Sequence, residues 1–357
     1  MNIGVFLCAD LERAQYIYKY VDLLERLQCS YDIVYWNRNL SDFTIDCKAK
    51  LIPYDEKIDS YQPLLYKTGA YLRFRRFVKK VIKENSYDKI ILLTTPMAVS
   101  VFDVCFRQYK GKYLFDFRDL TKEYFMPYRK LVQRLVCKSG LFVTSSPGYL
   151  SYFDEDKIPN YVLCHNTLGI IRDKKKLELK KEFPIRIAYW GAVRQVEYNK
   201  KICDLFGNDE RFVFTYHGDG AFAELQNYCT GRGITNINFT GRYSLEEIEM
   251  FARDADILFN AYETDFVTMP SLAVKVYDSL EYQLPMVVSR KSFMEKYLKK
   301  CSHVFSFRLE EGILDKLWEW YRSLEQFKTE QSFEKLKQKI QKDDIEFEKK
   351  VKAFVEI

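Results

Sequence analysis

The chain has 357 residues, more than one hydrophobic core usually organises, so two domains are expected. An apolar fraction of 47%, a charged fraction of 30% and a net charge of +6 describe an ordinary globular protein and are too mild to indicate a nucleic-acid partner. Nine cysteines without a CxxC pair argue against a disulfide framework or structural zinc site, and no apolar run reaches the ~20 residues needed to span a bilayer.

In chain order, residues 2–8 form an apolar strand without the basic and apolar regions of a signal peptide, which implies a cytoplasmic protein. A helix over 12–27, a strand over 31–36 and a helical segment over 66–84 follow. Within the last, Arg73 to Lys83 is densely basic, while Phe74, Phe77, Val78, Val81 and Ile82 recur at helical spacing. Its cationic face is either solvated or laid against an anionic membrane. Strands over 89–94, 112–117 and 141–145, with a helix over 124–138, complete a first domain of residues 1–168. The charged run RDKKKLELKKE marks a linker within 169–184.

The second domain, 185–330, repeats the rhythm with strands at 185–190, 212–216, 237–239 and 257–260. Its helices fall near Lys200 and over 221–230 and 245–253. The stretch TMPSLAVKVYDSLEYQLPMVVS, residues 268–289, reads as loop, helix, stop at Gln283-Leu284-Pro285, and strand. Residues 331–357 are a charged helix expected to cross back to the first domain. Apolar strands alternating with helices indicate parallel sheets covered on both faces.

Three strands of the second domain end at glycine turns: Gly191, the pair Gly218 and Gly220, and Gly241. Such turns before helices offer backbone N–H groups to an anion, although no strict GxGxxG or Walker sequence occurs. Lys275 and Asp278 stand one helical turn apart, a cation and a carboxylate suited to the phosphates and ribose of a sugar nucleotide. The 16% aromatic content suits either sugar stacking or a bulky core. No histidine pair has metal-ligand spacing, so no metal is expected. His165 lies near the domain exit, His217 is either structural or adjacent to the base, and His303 lies in a strand-like segment with no visible partner.

The sequences YWGAVR, HGDG, NINFTGRYSLEEI and ADILFNAYETDFVTMPSLAVKVYDSLEYQLPMVV occur in this order over residues 187–289. In order and spacing they resemble the nucleotide-binding half of a GT-B glycosyltransferase of retaining family 4. The resemblance implies two Rossmann-like domains with parallel sheets facing a central cleft, and a UDP- or GDP-sugar as donor substrate. It implies donor contacts at Gly191, Arg194, Lys200, Gly218, Gly220, Gly241, Arg242, Tyr243, Ser271, Lys275 and Asp278. Arg194, Lys200 and Lys275 would neutralise the diphosphate, Asp278 would hold the ribose, and the backbone at 241–243 would read the base. The acid that precedes this position in the family falls on Pro270, with Glu263 or Asp265 as substitutes from the loop before it.

More weakly, FDFRDL resembles a D-x-R-D-L signature of enzymes that build bacterial surface polysaccharides. It implies acceptor contacts at Asp116 and Asp119, joined by Arg13 from CADLERAQ, and catalytic proximity for Arg118 and Asp119 beside Arg194 and Lys275. Asp119 either accepts the acceptor's proton or, with Thr121 as an alternative, caps the next helix. The implied reaction is sugar transfer with retention, by front-face attack, to a glycan or lipid-linked acceptor in capsule or O-antigen synthesis. A GT-B epimerase and a non-catalytic nucleotide-sugar or polysaccharide-binding subunit are the rival readings.

Overall fold

A computed structural model describes residues 1–59, 62–158, 160–167, 179 and 183–356. The expected linker over 169–184 falls outside the described residues except for Leu179, Phe183 and Pro184. The chain divides into two compact units, residues 1–169 with 341–357 and residues 170–340.

In the first unit β1 (Asn2–Leu7) is followed by α1 (Ile17–Arg26) and β2 (Ser30–Asn37). The helix expected over 12–27 is shorter, because residues 11–13 form a separate 3-10 turn. Asp10, in position to cap a helix there, instead accepts from the backbone amides of Arg38 and Asn39 at 2.6 and 3.0 Å. Next come β3 (Lys50–Asp55), α2 (Leu64–Asn85), β4 (Lys89–Leu93), α3 (Thr95–Ser100) and α4 (Phe102–Arg107). The unit continues with β5 (Tyr113–Phe117), α5 (Met126–Lys138), β6 (Leu141–Thr144) and β7 (Tyr161–Leu163). All pairings are parallel, in the order β3-β2-β1-β4-β5-β6-β7. Strand β3 lacks the apolar run that marks the others because it is an edge strand, which also accommodates Pro53.

Helix α2 buries Phe74, Val78, Val81 and Ile82, as their spacing requires. Its cations are mostly engaged: Arg73 pairs with Glu56, Arg75 and Lys79 with Asp103, and Lys80 with Glu84.

The second unit contains β8 (Ile185–Trp190), α6 (Val196–Phe206), β9 (Phe212–His217), α7 (Phe222–Gly231) and β10 (Ile237–Phe239). A 3-10 turn closed by a Ser244–Glu247 capping box leads into α8 (Ile248–Asp254) and β11 (Ile257–Asn260). Then follow α9 (Lys275–Glu281), β12 (Met286–Ser289), α10 (Phe293–Leu298), β13 (Val304–Phe307) and α11 (Ile313–Ser323). Its parallel sheet has the order β10-β9-β8-β11-β12-β13. Helix α12 (Gln326–Glu356) buries Phe333, Leu336 and Ile340 in the second unit's core and Phe347, Val351, Phe354 and Val355 in the first's.

Strand order reverses between β1 and β4 in one sheet and between β8 and β11 in the other. Ligands of doubly wound sheets bind outside the carboxyl ends of the strands at such switch points. The strand ends at Leu7, Leu93, Trp190 and Asn260 therefore frame the candidate ligand sites.

Candidate functional site

At the β8/β11 switch point the glycine turns interlock through their backbones. The Gly191 amide donates to the His217 carbonyl at 2.9 Å, Val193 to Asp219 at 2.8 Å, and Gly218 to Gly241 at 2.7 Å. Gly218 has φ +143°, and a Cβ there would overlap the Gly191 carbonyl oxygen; a Cβ on Gly220 would overlap that of Val193. Only glycine lets the loops after β8 and β9 nest this closely.

Helix α9 carries both predicted ligand groups over this floor. The Lys275 ammonium lies 3.3 Å from where a Cβ on Gly191 would sit. It donates to the Tyr262 hydroxyl at 3.0 Å and lies 4.5 Å from the Tyr189 ring centroid and 5.6 Å from that of Tyr262. Asp278 accepts from the indole Nε1–H of Trp190 at 2.8 Å. Burial pushes the Tyr189 phenol up to about 12, while the charges of Lys275 and Arg194 pull the other way. The Tyr243 phenol is also pushed up to about 12, by burial and then by the negative charge of Asp278. The exposed Arg194, half-buried Lys275 and Asp278, and Tyr243 therefore converge at one strand end. Arg194 forms no side-chain hydrogen bond or ion pair with a described residue.

The other expected contacts have partners within the protein. The Lys200 ammonium sits 2.8 Å from both Glu197 and Glu224, so α6 directs it into an ion pair with α7 that offsets its charge. Arg242 is exposed, 3.3 Å from Asp219. Ser271 donates to the Thr268 carbonyl at 2.8 Å, securing the loop before α9. Asp265 accepts from the amides of Val267 and Thr268 and from Gln195, which makes its carboxylate a turn cap. Gln195 also bonds both backbone groups of the exposed Glu263, tying the loop after β8 to the loop after β11. His217 stacks on Phe251 at 3.6 Å and bonds Thr240; burial lowers its pKa to about 4, leaving a neutral ring.

The D-x-R-D-L segment of the first unit is arranged differently. Arg118, 3% exposed, contacts Asp116 at 2.6 Å, the Cys164 carbonyl at 3.1 Å and Asn166 at 2.7 Å, and lies over the Tyr16 ring. Asp116 is fully buried and also accepts from the Tyr20 hydroxyl at 2.6 Å. Asp116, expected as an acceptor contact, is thus enclosed at the strand end, and Arg118 is held there by Asp116. Asp119 is exposed just past β5, with the Tyr149 hydroxyl 3.5 Å away. It caps no helix, since α5 begins at Met126. Arg13 is exposed on the turn after β1. His165 is buried and bonds Asp343 of α12 at 2.9 Å, a structural tie.

No protein-family model and no curated protein sequence matches the chain. Solved structures do match in three dimensions. Sucrose-phosphate synthase from Thermosynechococcus elongatus superposes with a TM-score of 0.74 at 10% identity, covering 99% of each chain. Anabaena HepE, solved with UDP and glucose, gives 0.64 at 10% identity over 99% of this chain and 100% of its own. A proposed UDP-N-acetylglucosamine 2-epimerase from Listeria monocytogenes gives 0.58 at 11% identity over 92% and 90%. The solved structures sharing this architecture include glycosyltransferases. The chain has the GT-B fold.

Sequence reasoning missed Tyr189, Trp190 and Tyr262, which surround the two groups on α9. As apolar or aromatic residues at strand ends they read as core, and nothing in their spacing shows that they contact a helix more than ten residues away. It also missed Glu123, a carboxylate only 1% exposed that accepts from the Thr121 amide. Burial raises its pKa above the ordinary carboxylate value.

Proposed function

We propose that the protein is a glycosyltransferase that binds a nucleotide sugar at the β8/β11 strand ends of its second unit. The observation that carries this reading is the placement of the Lys275 ammonium directly over Gly191, with Asp278 one turn further along the same helix. A diphosphate lying on the glycine turns would meet Lys275 and Arg194, which stabilise the departing nucleoside diphosphate. A ribose lying toward Asp278 would donate its hydroxyls to the carboxylate, and the chain at Gly241–Tyr243 would face the base. Asp119 and Arg13, exposed at strand ends of the first unit, are the groups proposed for the acceptor. Transfer with retention to a glycan or lipid-linked acceptor, in surface polysaccharide synthesis at the cytoplasmic side, completes the reading.

Thermal-shift titration with UDP- and GDP-sugars, paired with an assay for release of the nucleoside diphosphate, tests it. Ligand binding raises apparent stability by mass action, so one series should shift the midpoint and yield the diphosphate. A shift without release or transfer would favour a non-catalytic binding subunit. Conversion of the sugar within the intact nucleotide would favour an epimerase, a reading that the shared fold with the Listeria protein keeps in play. No shift with either series would reject the nucleotide site.

We also propose a peripheral membrane contact through the first unit. Its apolar contribution is the exposed side chains of Leu65 and Leu72 on α2 and of Tyr124, Phe125 and Met126 before and at the start of α5. Exposed Arg76, Lys83, Lys122 and Lys130 supply positive charge suited to anionic lipid. The protein should sediment with phosphatidylglycerol vesicles more than with neutral ones; equal recovery in the supernatant would reject the contact.

A further inference from the structure

The last two residues of β8 point to opposite faces of the sheet, as alternation in a strand demands. Tyr189 belongs to one core cluster and Trp190 to the other. Each nonetheless meets a different charged side chain of α9, Tyr189 at Lys275 and Trp190 at Asp278. Those two side chains share a helix face, because residues three apart in a helix are neighbours.

The chemistry of the holding groups matters as much as their position. Lys275 forms no ion pair with a described residue; the groups around its ammonium are the Tyr262 hydroxyl and two phenol rings. Elsewhere in this unit several cations are partnered by carboxylates, as in Lys200 with Glu197 and Glu224, Arg211 with Asp209, and Arg290 with Glu310. A carboxylate would neutralise the ammonium that an anion needs, whereas aromatic faces and a hydroxyl orient it while leaving its net charge intact. Ordering a long lysine stem in advance also removes an entropic cost from ligand binding. The indole N–H of Trp190 fixes one carboxylate oxygen of Asp278 with a neutral donor.

We propose that Trp190 and Tyr262 are positioning residues of the nucleotide site, with Trp190 setting Asp278 for the ribose and Tyr262, together with the Tyr189 ring, setting Lys275 for the diphosphate. This rests on the nucleotide-sugar reading of the same site. It adds a division of labour that the reading itself does not require: one aromatic residue serves the nucleoside half of the ligand and another the phosphate half.

Isothermal titration and competition with UDP, GDP, their nucleosides and inorganic pyrophosphate test the proposal. Trp190→Phe is expected to weaken the nucleoside diphosphate and its nucleoside about 3- to 10-fold and to leave pyrophosphate unchanged. Tyr262→Phe is expected to weaken the diphosphate and pyrophosphate by a similar factor and to leave the nucleoside unchanged. Because both residues also pack, each variant is repeated in a second background. Trp190→Phe should add nothing to the loss of nucleoside affinity in Asp278→Ala, and Tyr262→Phe nothing to the loss of pyrophosphate affinity in Lys275→Met. Additive losses in these backgrounds, or equal losses for all three ligands, would overturn the positioning roles while leaving the nucleotide site standing. Failure of the wild-type protein to bind either diphosphate would overturn the site and the inference together.

Discussion

At the end of β5 the guanidinium of Arg118 is buried against Asp116, the Cys164 carbonyl and the Tyr16 ring, and Asp116 is closed off further by Tyr20. At the end of β8 the ammonium of Lys275 lies among two tyrosines over a glycine floor, without an ion-pair partner among the described residues. Both places were marked in the sequence by a cation and a carboxylate close together. In the first the charges answer each other, so the pair braces the strand end. In the second Lys275 is held by neutral groups and keeps its charge, and Asp278 accepts from a neutral indole. A charged motif at a strand end therefore becomes a candidate ligand site only when the fold supplies neutral holders for it.

Substitutions at the two strand ends should separate these roles. The largest effect is expected from Asp116→Ala, which leaves Arg118 buried without its carboxylate and should cost about 3–5 kcal/mol of folding stability. Urea unfolding measures it; a loss below 1 kcal/mol, or a defect confined to acceptor use, would reverse the assignment of Asp116 to the scaffold. Asp278→Ala should act the other way, removing a charge-assisted contact and weakening the nucleoside diphosphate by about 1.5–3 kcal/mol, roughly 10- to 100-fold. Unchanged affinity by calorimetry would remove Asp278 from the ligand site.

The smallest effect concerns a buried histidine. His303 is 1% exposed, both ring nitrogens lack a hydrogen-bond partner among the described residues, and its ring lies 4.0 Å from that of Phe333 on α12. Burial lowers its pKa from 6.5 to about 3, so the folded protein keeps the ring neutral. The unfolded chain gains a proton below pH 6.5 that the folded chain refuses, so this ring's contribution to stability falls as pH drops from 6.5 toward 3. His303→Leu should remove that dependence, gaining about 2 kcal/mol relative to the wild type between pH 6.5 and 5. Parallel acid sensitivity of the two proteins would show that the ring is not held neutral.

Much of the architecture could be read directly. The strand at 185–190, the turns at Gly191, Gly218 and Gly241, and the helix bearing Lys275 and Asp278 lie where their patterns indicate, because each depends on local periodicity and turn chemistry. Strand β3 was not legible, since an edge strand lacks the apolar run of a central one. Within the candidate site, the charged ends of Lys275 and Asp278 were legible by their spacing on one helix. Their holders were not, because Trp190 and Asp278 are brought together by sheet order across 88 residues of chain.

By itself, then, the sequence determined two α/β halves, the glycine turns of the second, and a cation and carboxylate on one helix face, all consequences of neighbours along the chain. Only the tertiary structure decided which charges are spent and which are kept. Arg118 and Lys200 meet carboxylates. Lys275 meets tyrosines. The physical reason is that a charge is neutralised by what packs against it, and the β8-to-β11 crossover that packs Tyr189, Trp190 and Tyr262 around α9 has no signature in local sequence.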